Sequence, residues 1–211
     1  MCESLVGYYN GIKVVRYNLE QNFAPYNFIT DTIKPLWQKY EPWATHDDVY
    51  QTVTRKVGRK IDILYDINGN VLGFYIFRIF RYGPWNVMFR GNSFISKKIR
   101  GIGVSLLNSA IKNYNPDRLV TFTSQERVYA FLSHFGEILP ALNKKPSITE
   151  WHLLSRLAGS IHKVNKDTLA VRDFYPHKHE QQGDAVKNEY VSNLFATLGD
   201  KDAYAVMVRC S

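Results

Sequence analysis

Ser96-Lys97-Lys98-Ile99-Arg100-Gly101-Ile102-Gly103-Val104-Ser105-Leu106-Leu107 is a basic, glycine-bearing turn that runs straight into an apolar helical pattern. A strand-like run, Asn86-Val87-Met88-Phe89-Arg90 through Phe94-Ile95, comes just before it. Gly101 and Gly103 carry no Cβ, so the backbone there can approach a ligand closely. The first amides of the following helix have no acceptor within the helix and carry partial positive charge. A strand, a glycine turn and a helix N-terminus in that order make a cradle for phosphate. Lys97, Lys98 and Arg100 add positive charge beside it. An ordinary strand–turn–helix junction, with a glycine for chain reversal, has the same local appearance.

Spacing excludes two phosphate loops. The Walker loop needs two glycines separated by four residues and then Lys-Ser/Thr, and the turn lacks that. The dinucleotide fingerprint needs a third glycine, where this chain has Leu106. What is present is Arg100-x-x-Gly103-x-Ser105. It resembles the pyrophosphate-binding motif of the GNAT superfamily of N-acetyltransferases, Arg/Gln-x-x-Gly-x-Gly/Ala. Ser105 stands where Gly or Ala is usual; it is small, and its hydroxyl can donate to a phosphate.

The periodicity on either side of the turn supplies the rest. Ile12–Tyr17 reads as a strand. Phe28, Ile29, Ile33, Leu36 and Trp37 recur at helical spacing over 27–40, with Pro35 expected to kink or split the helix. Thr45 is a candidate cap for a second helix running to about Val57. The period then changes to two. Ile61–Ile67 is a strand, Asn68-Gly69 a two-residue hairpin turn with positive φ at both positions, and Val71–Phe80 a return strand apolar on both faces. Arg81–Pro84 turns into the strand before the glycines. After them, Ile102, Leu106 and Ala110 line one helix face, with Leu107 and Ile111 beside them, as far as Asn115-Pro116. Arg118–Thr123 is a strand, parallel to the preceding one by the crossover rule. A helix from Ser124 or Gln125 presents Val128, Phe131, Leu132 and Phe135 and stops at Gly136.

This order of elements is similar to that of the GNAT fold over about residues 12–140. The resemblance implies an α+β (α/β) class: a mixed, mostly antiparallel sheet flanked by helices, whose central parallel strands splay apart to admit the cofactor. Further on, Thr149 is expected to cap a helix to His162 carrying Trp151, Leu154, Leu157 and Ile161. A strand over 168–173, a polar loop over 176–184, a helix over 185–198 and a terminal strand over 203–209 follow. Residues 1–211 thus read as a single GNAT-like domain, with an extension from about 147 that completes the sheet.

Composition narrows the function classes. Apolar residues make up 45% and charged residues 22% of 211, ordinary for a folded chain. No apolar run approaches the roughly 20 residues that span a bilayer. Met1-Cys2-Glu3-Ser4-Leu5 shows no secretory leader. Cys2 and Cys210 make neither a disulfide framework nor a zinc knuckle, so a cytoplasmic, reducing setting is expected. The net charge of +8 suits any polyanion: nucleic acid, an anionic membrane, or a phosphorylated cofactor. The cations fall in small groups, Arg55–Lys60, Lys97–Arg100, Lys144 with Lys145, and Lys163 with Lys166, which argues against a dedicated nucleic-acid arm. His177-Lys178-His179 with Glu180 lacks further placed ligands, and no metal site is expected.

The resemblance also implies a chemistry: acetyl-CoA, or another acyl-CoA, as co-substrate, and direct attack by a primary amine on a small molecule or protein. Backbone of Ser93, Phe94, Ile95 and Ser96 would hold the pantetheine arm as an extra strand does. Amides of Gly101, Ile102, Gly103, Val104 and Ser105 would hold the pyrophosphate, with Arg100 assisting by charge or by fixing the turn. The family places an Asn near the start of the next helix and a Tyr, the acid for the leaving thiolate, four residues before its terminal Gly. Here those positions carry Gln125 and Leu132. Gln keeps the amide, but Leu cannot donate a proton. Tyr129 and Ser124 are the remaining candidate donors, and Tyr129 reads equally as a packing tyrosine. The family's carboxylate base on the strand before the turn is absent from 86–96, which leaves Asp66, Glu126, His134 or a chain of waters. His134 reads also as a helix-end histidine meeting carbonyls. Tyr8, Tyr9, Tyr17, Tyr26, Trp37, Tyr40 and Trp43 are either an acceptor pocket or core. The missing Tyr and carboxylate leave open a non-catalytic binding protein on the same fold. The basic charge leaves open a nucleic-acid binder, and oligomeric state is not fixed.

Overall fold

The structure is a computed structural model that describes residues 2–19, 27–39, 41–54, 59–96, 99, 101–177 and 186–210. The architecture is the expected mixed α and β class, with a mostly antiparallel sheet. The chain forms two compact units, Met1–Phe80 with Phe89–Asn115, and Arg81–Met88 with Pro116–Ser211.

In the first unit, β1 (Cys2–Tyr9), β2 (Ile12–Leu19), β3 (Arg59–Tyr65), β4 (Val71–Tyr82) and β5 (Trp85–Ile95) lie in chain order. β1 to β4 pair antiparallel. β1 was not expected from the sequence. It is closed onto β2 at Tyr9↔Ile12 by Asn10 and Gly11, both at positive φ. The expected two-residue turn at Asn68-Gly69 is instead a wider loop over 66–70. Only Gly69 takes positive φ there. The Asp66 carboxylate accepts from the amides of Asn68 (2.9 Å) and Asn70 (2.8 Å) and from the Asn70 side chain (2.8 Å), so β3 ends at Tyr65.

Strand alternation puts Val15, Tyr17, Ile61, Ile63, Phe74 and Ile76 on one face. A π-helical stretch, Phe28–Ile33, α1 (Lys34–Gln38) and α2 (His46–Thr54) cover that face with Ile29, Ile33, Trp37, Val49 and Val53. Pro35 sits at the start of α1, where its missing N–H costs least; the backbone stays helical through Ile33 and Lys34, and the run changes there from π to α. Thr45 and Asp48 bond reciprocally at the start of α2. Its expected end at Val57 lies outside the described residues. The opposite face carries Arg16, Asp62, Tyr75 and Phe77. There Tyr114, the last residue of α3 (Ile102–Tyr114), meets Phe77 and Arg16. α3 buries Ile102, Leu106, Leu107 and Ala110, as its spacing predicts.

The second unit is built on β9 (Ala203–Cys210), which pairs antiparallel with β6 (Arg118–Thr123), β7 (Gly136–Leu139) and β8 (Ala170–Val171). The start of β5 belongs here: the Asp117 amide donates to the Asn86 carbonyl at 2.8 Å. Of the expected stripe of Val128, Phe131, Leu132 and Phe135, α4 (Glu126–Leu132) and the turn after it bury only Leu132 fully, and Tyr129 is buried beside it. Gly136 ends that helical segment and opens β7. A Cβ there would overlap the Arg209 carbonyl. α5 (Ile148–Ala158) starts at Ser147, not Thr149. Ser147 Oγ accepts from the Glu150 amide (3.2 Å) while Glu150 accepts from the Ser147 amide (2.8 Å). The helix stops before Gly159, leaving Ile161 exposed in a loop. The strand expected over 168–173 shrinks to β8. α6 (Glu189–Phe195) is shorter than expected, capped by Asn188; the residues just before 186 lie outside the described ones.

One ionic network ties this unit together. Glu150, 1% exposed, accepts from Arg209 (2.8 and 2.7 Å) on β9 and from Arg118 (3.0 Å) on β6. Arg209 also reaches Glu137 on β7 (2.6 Å). Burial would push the Glu150 carboxyl up. The Arg209 and Ser147 hydrogen bonds and the two cations override that and hold it at about 2.

Candidate functional site

The glycine turn is set by its neighbours in the first unit. At the end of β5, the Phe94 ring packs tilted against Trp37 and edge-on against Phe74, with centroids 5.3 Å apart in each pair. Gly73 lets β4 approach so closely that a Cβ there would lie 2.6 Å from the Phe94 carbonyl oxygen. The Ser96 amide donates to the Leu72 carbonyl and the Ile99 amide to the Ser96 carbonyl, each at 3.0 Å. Gly101 is the N-cap of α3, at φ +83° and ψ −18°. That left-handed conformation favours glycine. Its carbonyl accepts from the amides of Val104 (3.1 Å) and Ser105 (3.4 Å). Of the five amides expected to face a phosphate, those two are therefore turned inward. Ile102 and Gly103 precede the first helical bond.

Gly103 differs from Gly101. Its φ is not positive, and a Cβ would meet only Ile95 Cδ1, at an ordinary 3.9 Å. Among the described residues, neither backbone conformation nor packing requires a glycine at 103. Lys97, Lys98 and Arg100 lie outside the described residues.

The other expected site residues belong to the second unit. Gln125 is the N-cap of α4, in extended conformation. Its amide donates to Thr123 Oγ1 (3.0 Å), and its side chain lies 3.5 Å from Ser124 Oγ. Ser124 is buried. Tyr129 is 3% exposed, packs on Phe195 and donates its hydroxyl to the Pro140 carbonyl. Burial, with Tyr190 nearby, raises its pKa. His134 is exposed, with Nδ1 3.1 Å from the Phe131 carbonyl oxygen, the arrangement of a helix-end histidine. Glu126 accepts from Ser192 Oγ (3.3 Å).

Asp66, in the first unit, organises its hairpin loop. Among the aromatics, Tyr17 and Trp37 are core, Tyr8 and Trp43 are exposed, and Tyr26 and Tyr40 lie outside the described residues. Lys178, His179 and Glu180 lie outside them too. Among the described residues no three potential metal-ligating side chains converge. No described helix is long and apolar enough to cross a membrane.

Two features escaped the sequence reading. Arg16 and Asp62 form a buried bidentate pair, 2.7 and 2.8 Å, with 4% and 0% exposure. The signal was there: a lone cation in Val14-Val15-Arg16-Tyr17 and a lone acid in Ile61-Asp62-Ile63. The second is the Glu150 network, foreshadowed by the Ser-x-x-Glu pattern at 147–150.

The chain is similar to solved structures of N-acetyltransferases at low identity. Arabidopsis thaliana Naa50 in complex with the bisubstrate analogue CoA-Ac-MVNAL is 13% identical, over 92% of this chain and 97% of that one, with a TM-score of 0.49. Tetrahymena GCN5 is 16% identical, over 62% and 82%, with a TM-score of 0.44. A GCN5-related glucosamine N-acetyltransferase region of a fungal multi-domain GH3 β-N-acetylglucosaminidase is 17% identical, over 52% of this chain, with a TM-score of 0.42; this chain spans only 13% of that one. No protein-family model matches the sequence, and no curated protein matches it.

Proposed function

We propose that this chain is a GNAT-type, acyl-CoA-dependent N-acyltransferase that moves an acetyl group from acetyl-CoA to a primary amine by direct attack. Gly103 carries the proposal. Among the described residues nothing needs a glycine there, yet the residue stands in the first turn of a 13-residue helix, behind a left-handed glycine cap. Close approach of a ligand to the backbone supplies the missing reason. The amides of Ile102 and Gly103 donate to a diphosphate, helped by the positive end of α3. Arg100 adds charge. The backbone of Phe94 to Ser96, fixed by the Trp37–Phe94–Phe74 cluster, aligns the pantetheine arm.

The acetyl transfer asks little of side chains once donor and amine are aligned. A thiol is far more acidic than an alcohol, so a thiolate leaves an acyl carbon more readily than an alkoxide does and needs less acid assistance. Leu132 is therefore compatible with turnover. Ser124 and Tyr129 are the candidate proton donors, and the Tyr129 hydroxyl is already given to the Pro140 carbonyl. Gln125 supplies the amide of the family's Asn. The acceptor is an amine-bearing small molecule or protein.

A second reading, a binding protein on this fold without catalysis, is favoured by the engaged Tyr129 hydroxyl and the absence of any carboxylate between Trp85 and Ser96. Thermal unfolding with acetyl-CoA, paired with thiol release over an amine panel, separates the two. A ligand at 100 times its dissociation constant stabilises by about 2.7 kcal/mol. Stabilisation with amine-dependent thiol release supports the enzyme. Stabilisation without it supports the binder. No stabilisation by any acyl-CoA refutes the enzyme.

A further inference from the structure

We infer that Tyr114 is a positioning residue for the glycine turn, acting through α3 from its far end. The inference rests on the cofactor reading above. α3 has 13 residues and so is about 20 Å long, with Gly101 at one end and Tyr114 at the other. Its buried face, Ile102, Leu106, Leu107 and Ala110, holds it to the sheet by apolar contact, which has little directionality. Tyr114 is held differently. The Arg16 guanidinium lies 5.5 Å from its ring centroid and the Lys60 ammonium 5.2 Å. Arg16 Nη1 donates to its hydroxyl at 3.4 Å, and Phe77 meets the ring at 5.9 Å.

Both cations are fixed posts. Arg16 is clamped by Asp62 and lies 4.9 Å from the Phe77 ring centroid. Lys60 donates to Asn18 Oδ1 at 2.7 Å. A ring gripped by two tethered cations has a preferred place and tilt. A rigid helix carries that setting to its other end: over its length, a tilt of about 3° displaces the first turn by about 1 Å. Displacements of that size cost a binding or catalytic constellation up to about a hundredfold. The buried Arg16–Asp62 pair thereby gains a purpose beyond stability, since a pair this buried is weak evidence for stability alone.

The test uses the full chain and CoA as the probe. Binding is measured by calorimetry for wild type, Tyr114→Phe, Tyr114→Leu and Lys60→Met, with the melting temperature of each free protein. Tyr114→Phe keeps the ring on its cations and should bind within about twofold of wild type. Tyr114→Leu keeps apolar bulk and helix propensity but loses the grip, and should bind roughly tenfold more weakly. Lys60→Met should weaken binding severalfold with little change in melting temperature, and it decides the matter if Tyr114→Leu does not fold. Wild-type affinity in Tyr114→Leu or in a folded Lys60→Met overturns the inference, as does equal loss in the Phe and Leu variants. Failure of the wild type itself to bind CoA refutes the cofactor reading instead.

Discussion

Glu150→Gln tests the ionic network of the second unit. The wild-type carboxylate is held at about 2 against an ordinary 4.5. At about 1.4 kcal/mol per pH unit, that gap contributes about 3 kcal/mol to stability at pH 7. Because the folded pKa is the lower one, the contribution is fully present above pH 4.5 and fades as the pH falls toward 2. By pH 3 about 1.5 kcal/mol of it should remain. Gln keeps the shape and some hydrogen bonding but removes the charge that Arg209 and Arg118 share. Urea unfolding of wild type and variant at pH 7, 5 and 3 reads the difference. It should be about 3 kcal/mol at the two higher values and roughly half that at pH 3. A difference below 1 kcal/mol at pH 7, or one that does not shrink on acidification, refutes the assignment.

Other substitutions probe separate features. Gly136→Ala should destabilise the chain by about 3 kcal/mol or more, because a Cβ would overlap the Arg209 carbonyl within the β7–β9 pair. A melting temperature within two or three degrees of wild type would contradict that. Asp62→Asn should cost about 3–5 kcal/mol by stranding the buried Arg16 charge, whereas Arg16→Met with Asp62→Leu should cost much less. Equal loss in single and double variants, by urea unfolding, would remove the ion pair as the cause.

What the sequence disclosed follows the range of the forces involved. The glycine turn, α3 and β4 were readable because local chemistry fixes them: a left-handed cap at Gly101, a helical apolar stripe, a continuous apolar run. β1 was missed although Asn10-Gly11 repeats the dipeptide at Asn68-Gly69. The loop at 66–70 departs from its simple form because the Asp66 side chain captures the backbone, a competition that dipeptide rules do not contain. The buried face of α4 keeps the expected Leu132 but is turned toward Tyr129, because the second unit's packing buries Tyr129 against Phe195, and periodicity admits that stripe as readily as Val128–Phe131. Proton donors depend on such packing, so the motif pointed to the turn and left the catalytic side chains open.

Gly103→Glu with CoA in the calorimeter tests the cofactor site most directly. A Cβ at 103 makes only ordinary contact, and a glutamate in the first helical turn suits both helix propensity and dipole, so the fold should persist. Its carboxylate would sit at the amides proposed for the diphosphate and repel that charge. Wild type should bind CoA, and the variant, with unchanged circular dichroism and melting temperature, should not. CoA binding of wild-type strength in Gly103→Glu would place the cofactor elsewhere.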